Sequence, residues 1–234
     1  MKVYPVFLNL DGKPCLVVGG GAVGERKVAD LLVAGARVTL VSREITPTLE
    51  AMAARGEIAY RREEFSPEHL QGMILAIAAT NDPDTNQAVS AAAQARGLPV
   101  NVVDQPALCS FIVPATIRRG DLTLAIGTGG RSPALAKKLR QDLEHIFGPE
   151  YGPYLEVLGA IRDRVLAVRR DHPDNLKLFT KIVASPLLPL VIDRNLAGLT
   201  GLLADLLAGV LPPAMLGELN NEVAAILGIV FNNR

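Results

Sequence analysis

The sequence predicts an α/β protein in which a doubly wound parallel sheet is followed by a small α+β segment and a helical C-terminal domain. Up to residue 113, short apolar runs alternate with segments of helical spacing, which is typical of a parallel sheet covered by helices on both faces. Beyond residue 148, leucine and valine recur at helical spacing without a further strand pattern. We therefore expect three parts, formed by residues 1–113, 114–147 and 148–234.

The composition is that of an ordinary globular protein. The 234 residues carry 24 basic and 24 acidic side chains, so the formal net charge is zero and nothing indicates nucleic-acid binding. No apolar run reaches the roughly 20 residues that a membrane span needs, and no signal segment opens the sequence. The two cysteines, Cys15 and Cys109, are too few for a zinc quartet, and no metal site is predicted. We expect a cytoplasmic protein with no membrane or nucleic-acid partner.

The strongest motif lies between the first predicted strand and the first predicted helix. The apolar run 15–18 ends at Gly19, and Gly19, Gly21 and Gly24 fit the pattern G-x-G-x-x-G. In this pattern the first glycine makes a tight turn, the second lets the backbone approach a diphosphate, and the third lets helix and strand pack closely. The N–H groups that open the helix attract an anion. The motif predicts a Rossmann-like dinucleotide site, and a tight turn without a ligand is the alternative.

The second predicted strand, over residues 37–42, brings two charged side chains to the same site. NAD-binding folds place a carboxylate about 20 residues beyond the glycines, where it holds the ribose hydroxyls, and Glu44 lies at that position. Arg43 is next to it and could receive the 2′-phosphate of NADP instead. We interpret the pair as favouring NAD over NADP.

Three polar residues, Thr80, Asn81 and Asp82, follow the apolar run 73–79. They fall at the carboxyl end of a predicted strand, where open α/β sheets bind ligands. Asn81 or Asp82 could also cap the helix that follows, and one residue can do both.

The next predicted strand, over residues 98–104, delivers Asn101 and Asp104 to the same edge of the sheet. A carboxylate that closes a buried apolar strand is costly unless it is paired or used. Asp104 could equally start the turn that follows, because aspartate favours such positions. The spacing leaves both interpretations open.

Two further strands are predicted over residues 110–113 and 122–126. The second leads into a loop of small residues, 127–133, and then into a helix over residues 134–146. Ser132 is a good N-cap for that helix, and the loop forms a second concavity that attracts anions. A solvated basic helix face is the alternative.

The two ends of the chain carry weaker signals. Residues 4–10 alternate and end in an Asp-Gly turn, so they could add a strand or cover the sheet. Two sets of residues in the tail keep helical spacing: Leu196, Leu199, Leu203, Leu206 and Val210, and Val223, Ile226, Leu227 and Val230. We expect a helical unit without chemistry of its own, packed on the first domain or on a second subunit.

Taken together, the motifs resemble the precorrin-2 dehydrogenase and sirohydrochlorin ferrochelatase module of the siroheme synthase family. The matching segments follow the family's order over the first two-thirds of the chain: VVGGGAVGERK (17–27), AATND (78–82), NVVD (101–104), SFIVP (110–114) and GGRSP (129–133). The resemblance implies oxidation of precorrin-2 to sirohydrochlorin with NAD as the hydride acceptor. It also implies a homodimer in which residues 114–147 form the dimerisation segment and, in some members, insertion of Fe²⁺ into sirohydrochlorin. The methyltransferase that is fused to larger family members is not found before Arg234.

The resemblance also implies roles for individual residues. Asp104 becomes the acid–base candidate, because hydride transfer from the macrocycle is accompanied by loss of a proton. Together with the glycine motif, the resemblance implies cofactor contacts at Gly19, Gly21, Ala22, Val23, Gly24, Arg43, Glu44, Thr80, Asn81, Asn101 and Val102. Contacts with the polycarboxylate substrate are expected at Arg118, Arg119, Thr128, Arg131 and Lys137.

The sequence departs from the family at two positions. Thr128 stands where the family often has a serine, and Cys109 stands where a small residue is usual. No convincing ligand set for iron is found. The alternative function is a non-enzymatic dimer that reports the NAD state to a partner, which would need the glycine loop but neither Asp104 nor the loop at Thr128.

Overall fold

The computed structural model describes residues 2–229, and their packing divides the chain into two compact units. The first unit contains residues up to 113 together with 129–131, and the second contains residues 114–128 and those from 132 onward. The division into residues 1–113, 114–147 and 148–234 stays a prediction. Within the described residues, no helix combines the length and the apolar character that a bilayer crossing requires.

The first unit is built on a five-stranded parallel sheet. Its strands are β1 (Pro14–Gly20), β2 (Arg37–Ile45), β3 (Ile58–Arg61), β4 (Leu75–Ala78) and β5 (Val100–Val102). They lie in the order β3-β2-β1-β4-β5, and every neighbouring pair is parallel. The order reverses between β1 and β4, which is the place where open α/β sheets bind ligands.

Helices cover both faces of this sheet. They are α1 (Ala22–Val33), α2 (Pro47–Ala54) and α3 (Pro83–Gln94). Alternate residues of β1 enter two different apolar clusters, Cys15 and Val17 on one face and Leu16 and Val18 on the other. A strand buried on both faces reads as a continuous apolar run, and this confirms the predicted doubly wound α/β class.

One predicted strand, and one segment that could have added a strand, are irregular in the structure. Residues 4–10 are irregular, and all of them except Leu10 are exposed. Residues 110–113 also form no strand. The Ser110 N–H donates to the Val100 carbonyl (2.9 Å) and the Ser110 hydroxyl accepts from the Val100 N–H (2.8 Å). Because a side chain supplies one of these bonds, the segment lies along β5 without continuing the sheet.

The second unit begins with a β-hairpin and continues as helices. The hairpin pairs β6 (Ala115–Arg119) with β7 (Leu122–Ile126), so the strand before β7 is 115–119 and not the predicted 110–113. The helices are α4 (Pro133–Ile146), α5 (Tyr151–Arg169), α6 (Asn175–Val183), α7 (Leu187–Ile192), α8 (Leu196–Leu207) and α9 (Pro213–Ile226). Leucine and valine from α5, α7, α8 and α9 form one apolar core, which confirms a helical C-terminal part. Val210 lies beyond α8, and Val230 lies outside the described residues.

Candidate functional site

The loop between β1 and α1 needs its glycines for different physical reasons. Gly19 has φ +109°, and a Cβ there would collide with the Ala79 carbonyl. A Cβ on Gly24 would collide with the Gly19 carbonyl oxygen, so α1 can begin this close to the strand only with glycine at that position. An added Cβ on Gly21 would have no protein atom within 4 Å. The structure thus uses Gly19 and Gly24 for packing and leaves open space beside Gly21.

The first turn of α1 leaves its backbone donors available. Gly21 is the N-cap, and no side chain of the described residues caps it. The first intrahelical bond of the helix runs from the Glu25 N–H to the Gly21 carbonyl (2.9 Å). The N–H groups of Ala22 and Val23 therefore point out of the helix end, where the dipole is positive. This arrangement fits a diphosphate at the open space beside Gly21.

A cavity of about 650 Å³ lies at the carboxyl ends of β1, β2 and β4, next to this loop. A volume of this size is typical of a cofactor site. Most of the cofactor contacts predicted from sequence are brought together in its lining: Gly19, Gly21, Ala22, Val23, Arg43, Glu44, Thr80 and Asn81. Gly24 is buried beneath the loop and acts through the packing described above.

Asn101 and Val102 are not brought into this cavity. Val102 is buried in the core, and the Asn101 amide donates to the Phe111 carbonyl (3.0 Å). The Cys109 sulfur accepts from the Val102 N–H (3.1 Å). These groups bind residues 109–111 to β5, and contacts of Asn101 and Val102 with a cofactor stay predictions.

Hydrogen bonds tie the end of β2 to the glycine loop. The Ser42 hydroxyl accepts from the Gly20 N–H (3.1 Å) and donates to the Glu44 carbonyl (2.7 Å). The Thr46 N–H donates to the Gly20 carbonyl (3.1 Å). These bonds hold Arg43 and Glu44, both exposed, at the rim of the cavity. Sequence reasoning missed Ser42, because no local pattern shows that its hydroxyl bonds to the loop.

Residues after β3 also line the cavity, and sequence reasoning missed them as well. Glu63, Glu64 and Phe65 belong to its lining. The parallel register pairs Val41 with Arg61, so the residues that follow β3 lie beside the last residues of β2. Only this register, which no short motif encodes, could have identified them.

The polar residues after β4 are held by the start of α3. The Thr80 hydroxyl accepts from the Asp82 N–H (3.1 Å) and donates to Asn86 Oδ1 (2.9 Å). Asp82 is the N-cap of α3, and its carboxylate accepts from the Asp84 and Thr85 N–H groups (both 3.2 Å). The hydrogen bond from the Thr85 hydroxyl lowers the pKa of Asp82, and those backbone N–H groups and the Arg43 guanidinium act in the same direction. Asp82 therefore has the capping role, while the exposed Asn81 side chain is left at the cavity.

Asp104 lies at the same edge of the sheet, one strand further from β1. The Val103 N–H donates to the Ala78 carbonyl (3.0 Å), which places Asp104 beside the end of β4. Its φ is +59°, and Arg194 is the one other described non-glycine residue with positive φ. Such a backbone is uncommon for a residue with a side chain. Asp104 is therefore both a turn residue and an exposed carboxylate, outside the lining of the cavity.

The residues predicted to contact the substrate belong to the second unit, apart from Arg131, which belongs to the first. Arg118, Arg131 and Lys137 are exposed. The Arg119 Nε donates to the Phe147 carbonyl (2.9 Å), so this guanidinium already has a partner.

Thr128 is bonded to its own loop. Its hydroxyl accepts from the Ser132 N–H (3.3 Å) and donates to the Ser132 carbonyl (3.1 Å).

Within residues 2–229, no three side chains of His, Cys, Asp or Glu are grouped so that they could hold a metal ion.

Two family models match the chain, and curated relatives are similar to it in sequence over most of its length. The models are "Putative NAD(P)-binding" over residues 6–115 and "Sirohaem biosynthesis protein central" over residues 119–146. The siroheme synthase of Methylobacillus flagellatus is 46% identical over 165 residues, 70% of this chain and 35% of the relative. Siroheme synthase 1 of Aeromonas salmonicida is 39% identical over 207 residues, 88% of this chain and 44% of the relative. The chain thus spans less than half the length of these relatives.

A solved structure shares the fold. The chain of SirC, precorrin-2 dehydrogenase, superposes with a TM-score of 0.69 at 24% identity, covering 95% of this chain and 100% of that one. At this identity the similarity supports the fold alone. The NAD(P)-binding model agrees with the cavity and the open helix start at Gly21. The two family models and the curated relatives together confirm the predicted resemblance to the siroheme synthase family, whose NAD(P)-binding and central regions this chain matches.

Proposed function

We propose that the protein catalyses the NAD-dependent dehydrogenation of precorrin-2 to sirohydrochlorin. One observation carries this proposal. An open helix start beside Gly21 and an exposed carboxylate at Asp104 lie at the same edge of the sheet. The names of the curated relatives point to a tetrapyrrole as the substrate. The cytoplasmic location stays a prediction.

Backbone and side-chain groups of the first unit would hold the cofactor. The N–H groups of Ala22 and Val23 would bind the diphosphate, and the Glu44 carboxylate would accept hydrogen bonds from the ribose hydroxyls. NAD supplies the hydride acceptor when it is bound. We infer NAD rather than NADP because Glu44, Glu63 and Glu64 line this cavity and would repel a 2′-phosphate.

The Asp104 carboxylate is the proposed base. The dehydrogenation removes two hydrogens from the macrocycle, one as a hydride that reduces NAD⁺ to NADH and one as a proton that Asp104 accepts. A positioned carboxylate at the carboxyl end of a strand suits that task. Its left-handed backbone, at φ +59°, supports a constrained position, since such conformations concentrate at functional sites.

Exposed basic groups would bind the carboxylates of the substrate. Arg118, Arg131 and Lys137 have the exposure that such contacts require, and charge-assisted bonds are among the strongest hydrogen bonds. The Arg119 guanidinium has further N–H donors besides the Nε group bonded to Phe147. The Thr128 hydroxyl could donate to the substrate only by giving up its bond to the Ser132 carbonyl.

We also propose a homodimer. In α4, Leu135, Leu139 and Ile146 are 50%, 38% and 61% exposed, which is costly for apolar side chains on one helix unless another surface covers them. Light scattering at micromolar protein is expected to give twice the chain mass, and the monomer mass would contradict this proposal.

The activity is tested by incubating the protein with precorrin-2 and NAD and recording absorbance. The sirohydrochlorin spectrum is expected with the parent protein and with Asp171→Ala, which removes an exposed aspartate outside the proposed site. Asp104→Ala is expected to bind NAD normally and to give no sirohydrochlorin. NAD binding without turnover by the parent protein would favour the regulatory dimer instead.

Iron insertion into sirohydrochlorin stays a prediction of the family resemblance. Metal insertion from Fe²⁺ above the uncatalysed rate would support it, and equal rates would reject it.

A further inference from the structure

The sheet register places two charged segments at the ribose end of the cavity. Because Val41 pairs with Arg61 across parallel strands, the last residues of β2 lie beside the residues that follow β3. Arg43 belongs to the end of β2 and Glu64 to the segment after β3, and both line the cavity. Neither is near the other in sequence, so the fold alone produces this pair.

Arg43 and Glu64 form an ion pair between Nη2 and Oε1. The Arg43 backbone is fixed beneath the pair, because the Arg62 Nε donates to its carbonyl (3.3 Å) and the Tyr60 hydroxyl donates to the Ser42 carbonyl (3.1 Å). The two side chains remain 75% and 67% exposed. An exposed pair of this kind is weak, and in this structure it directs the Arg43 guanidinium toward Glu64.

A second carboxylate beside this pair is held in place. The His69 Nδ1 accepts from the Ser66 N–H (2.9 Å), so the ring proton lies on Nε2, which is 3.1 Å from the Glu63 carboxylate. Glu63 lines the cavity, as does Glu44. Three carboxylates, those of Glu44, Glu63 and Glu64, therefore line the cavity together with the Arg43 guanidinium.

The two pyridine nucleotides differ at this end of the site. NADP carries a 2′-phosphate of about −2 charge at neutral pH, the value for a phosphate monoester with a second pKa near 6. An arginine near the carboxylate that follows the glycine motif is the group that usually accommodates this phosphate. Arg43 occupies that place, next to Glu44, and it is paired with Glu64.

We propose that Glu64 is a specificity-determining residue, which pairs with Arg43 and thereby withholds the guanidinium from a 2′-phosphate. Glu64 thus makes NAD the preferred cofactor and lies outside the local sequence motif that usually decides this preference. The inference rests on the proposed function in one respect, the binding of a pyridine nucleotide in this cavity.

Isothermal titration of the full chain with NAD and with NADP tests this inference. Glu64→Gln removes the charge and keeps the shape of the side chain. We expect it to tighten NADP binding by about fivefold, the size of one exposed charge contact, and to change NAD binding by less than about twofold. Arg43→Ala in the Glu64→Gln background is expected to cancel the gain, because the freed guanidinium causes it.

A matched control removes the same charge elsewhere. Glu57 pairs with Arg55 (2.6 Å) at the opposite end of β3, outside the cavity lining, and Glu57→Gln is expected to change neither affinity. If Glu64→Gln leaves NADP binding unchanged while the parent binds NAD, the specificity role is wrong and the proposed function stands. If the parent protein binds neither nucleotide, the cofactor proposal fails as well.

Discussion

Two loops of small residues lead into helices in this protein, and they differ in whether a side chain caps the first N–H groups of the helix. The loop 19–24 reaches α1 through a glycine N-cap, without a side-chain cap among the described residues. The loop 127–132 reaches α4 through Ser132, whose hydroxyl accepts from the Leu135 N–H (3.2 Å). The hydroxyl of Thr128 bonds to both backbone groups of Ser132.

The difference shows that a small-residue loop before a helix is not enough to make an anion site. The sequence predicts both loops as anion-attracting, and both contain a glycine with open space beside it, Gly21 and Gly130. Of these two helices, α1 begins without a side-chain cap from the described residues and α4 begins with one. Two basic residues of α4 also have acidic partners one turn on, since Lys138 pairs with Asp142 (2.6 Å) and Arg140 with Glu144. These contacts favour the alternative interpretation of α4 as a capped helix with a solvated charged face.

The largest expected effect comes from adding a methyl group at Gly24. Gly24→Ala forces a Cβ against the Gly19 carbonyl oxygen. We expect the free energy of unfolding to fall by about 3 kcal/mol and NAD binding to be lost. Chemical denaturation and calorimetric titration measure the two effects. Gly127→Ala in the second loop meets no atom within 4 Å and is the matched control. Equal stability of the two variants would contradict the packing role of Gly24.

Gly21→Ala separates binding from stability. Its Cβ meets no protein atom, so we expect a stability loss below about 1 kcal/mol, as for a poorer N-cap residue. NAD affinity is expected to fall at least about tenfold, because the methyl group would obstruct a charge-assisted bond to the diphosphate.

Gly130→Ala provides the comparison in the second loop. Gly130 has φ +78° and open space around it, so alanine costs about 1 kcal/mol of backbone strain and leaves NAD affinity unchanged. A Gly21→Ala variant that binds NAD as tightly as Gly130→Ala does would exclude the proposed diphosphate site.

Ser132→Ala tests the capped loop. Loss of the bond to the Leu135 N–H is expected to lower the free energy of unfolding by about 1 kcal/mol, with no change in NAD affinity. Ser132→Thr keeps a capping hydroxyl and is expected to retain most of the stability. An unchanged melting temperature in Ser132→Ala would show that this cap contributes nothing.

The smallest effect concerns a third helix start, at α3, where Asp82 is a charged cap. Hydrogen bonds from Thr85, first of all from its hydroxyl, lower the pKa of Asp82 in the folded protein. A depressed folded pKa gives stability that is present above the unfolded value of about 4 and lost as pH falls through the folded pKa. Denaturation across this range should therefore show a weaker acid dependence for Asp82→Asn than for the parent. Asp84→Asn removes a neighbouring charge, and an equally weak dependence there would contradict the capping explanation.

The parts of the fold that depend on residues close together in the sequence could be predicted from it. The strand, glycine loop and helix at residues 14–33 follow from apolar runs and the spacing of Gly19, Gly21 and Gly24. Prediction fails where distant segments meet. The alternating residues 4–10 find no partner strand, and residues 110–113 bond to β5 partly through the Ser110 side chain.

The candidate site shows the same limit. Arg43 and Glu44 could be assigned from their distance to the glycine motif, since β2 is the next strand after the motif in sequence. Glu63 and Glu64 could not, because β3 brings them to Arg43 through a strand register that the sequence does not display. The positive φ of Asp104 is likewise a property of the folded turn, and the sequence offered only the choice between a turn and a ligand-facing carboxylate.

A crystal structure of the protein with NAD tests the central claim most directly. The account predicts the diphosphate within hydrogen-bond distance of the backbone N–H groups of Ala22 and Val23, beside Gly21, with the ribose at Glu44. Diphosphate density at the start of α4, against the loop 127–132, would contradict it.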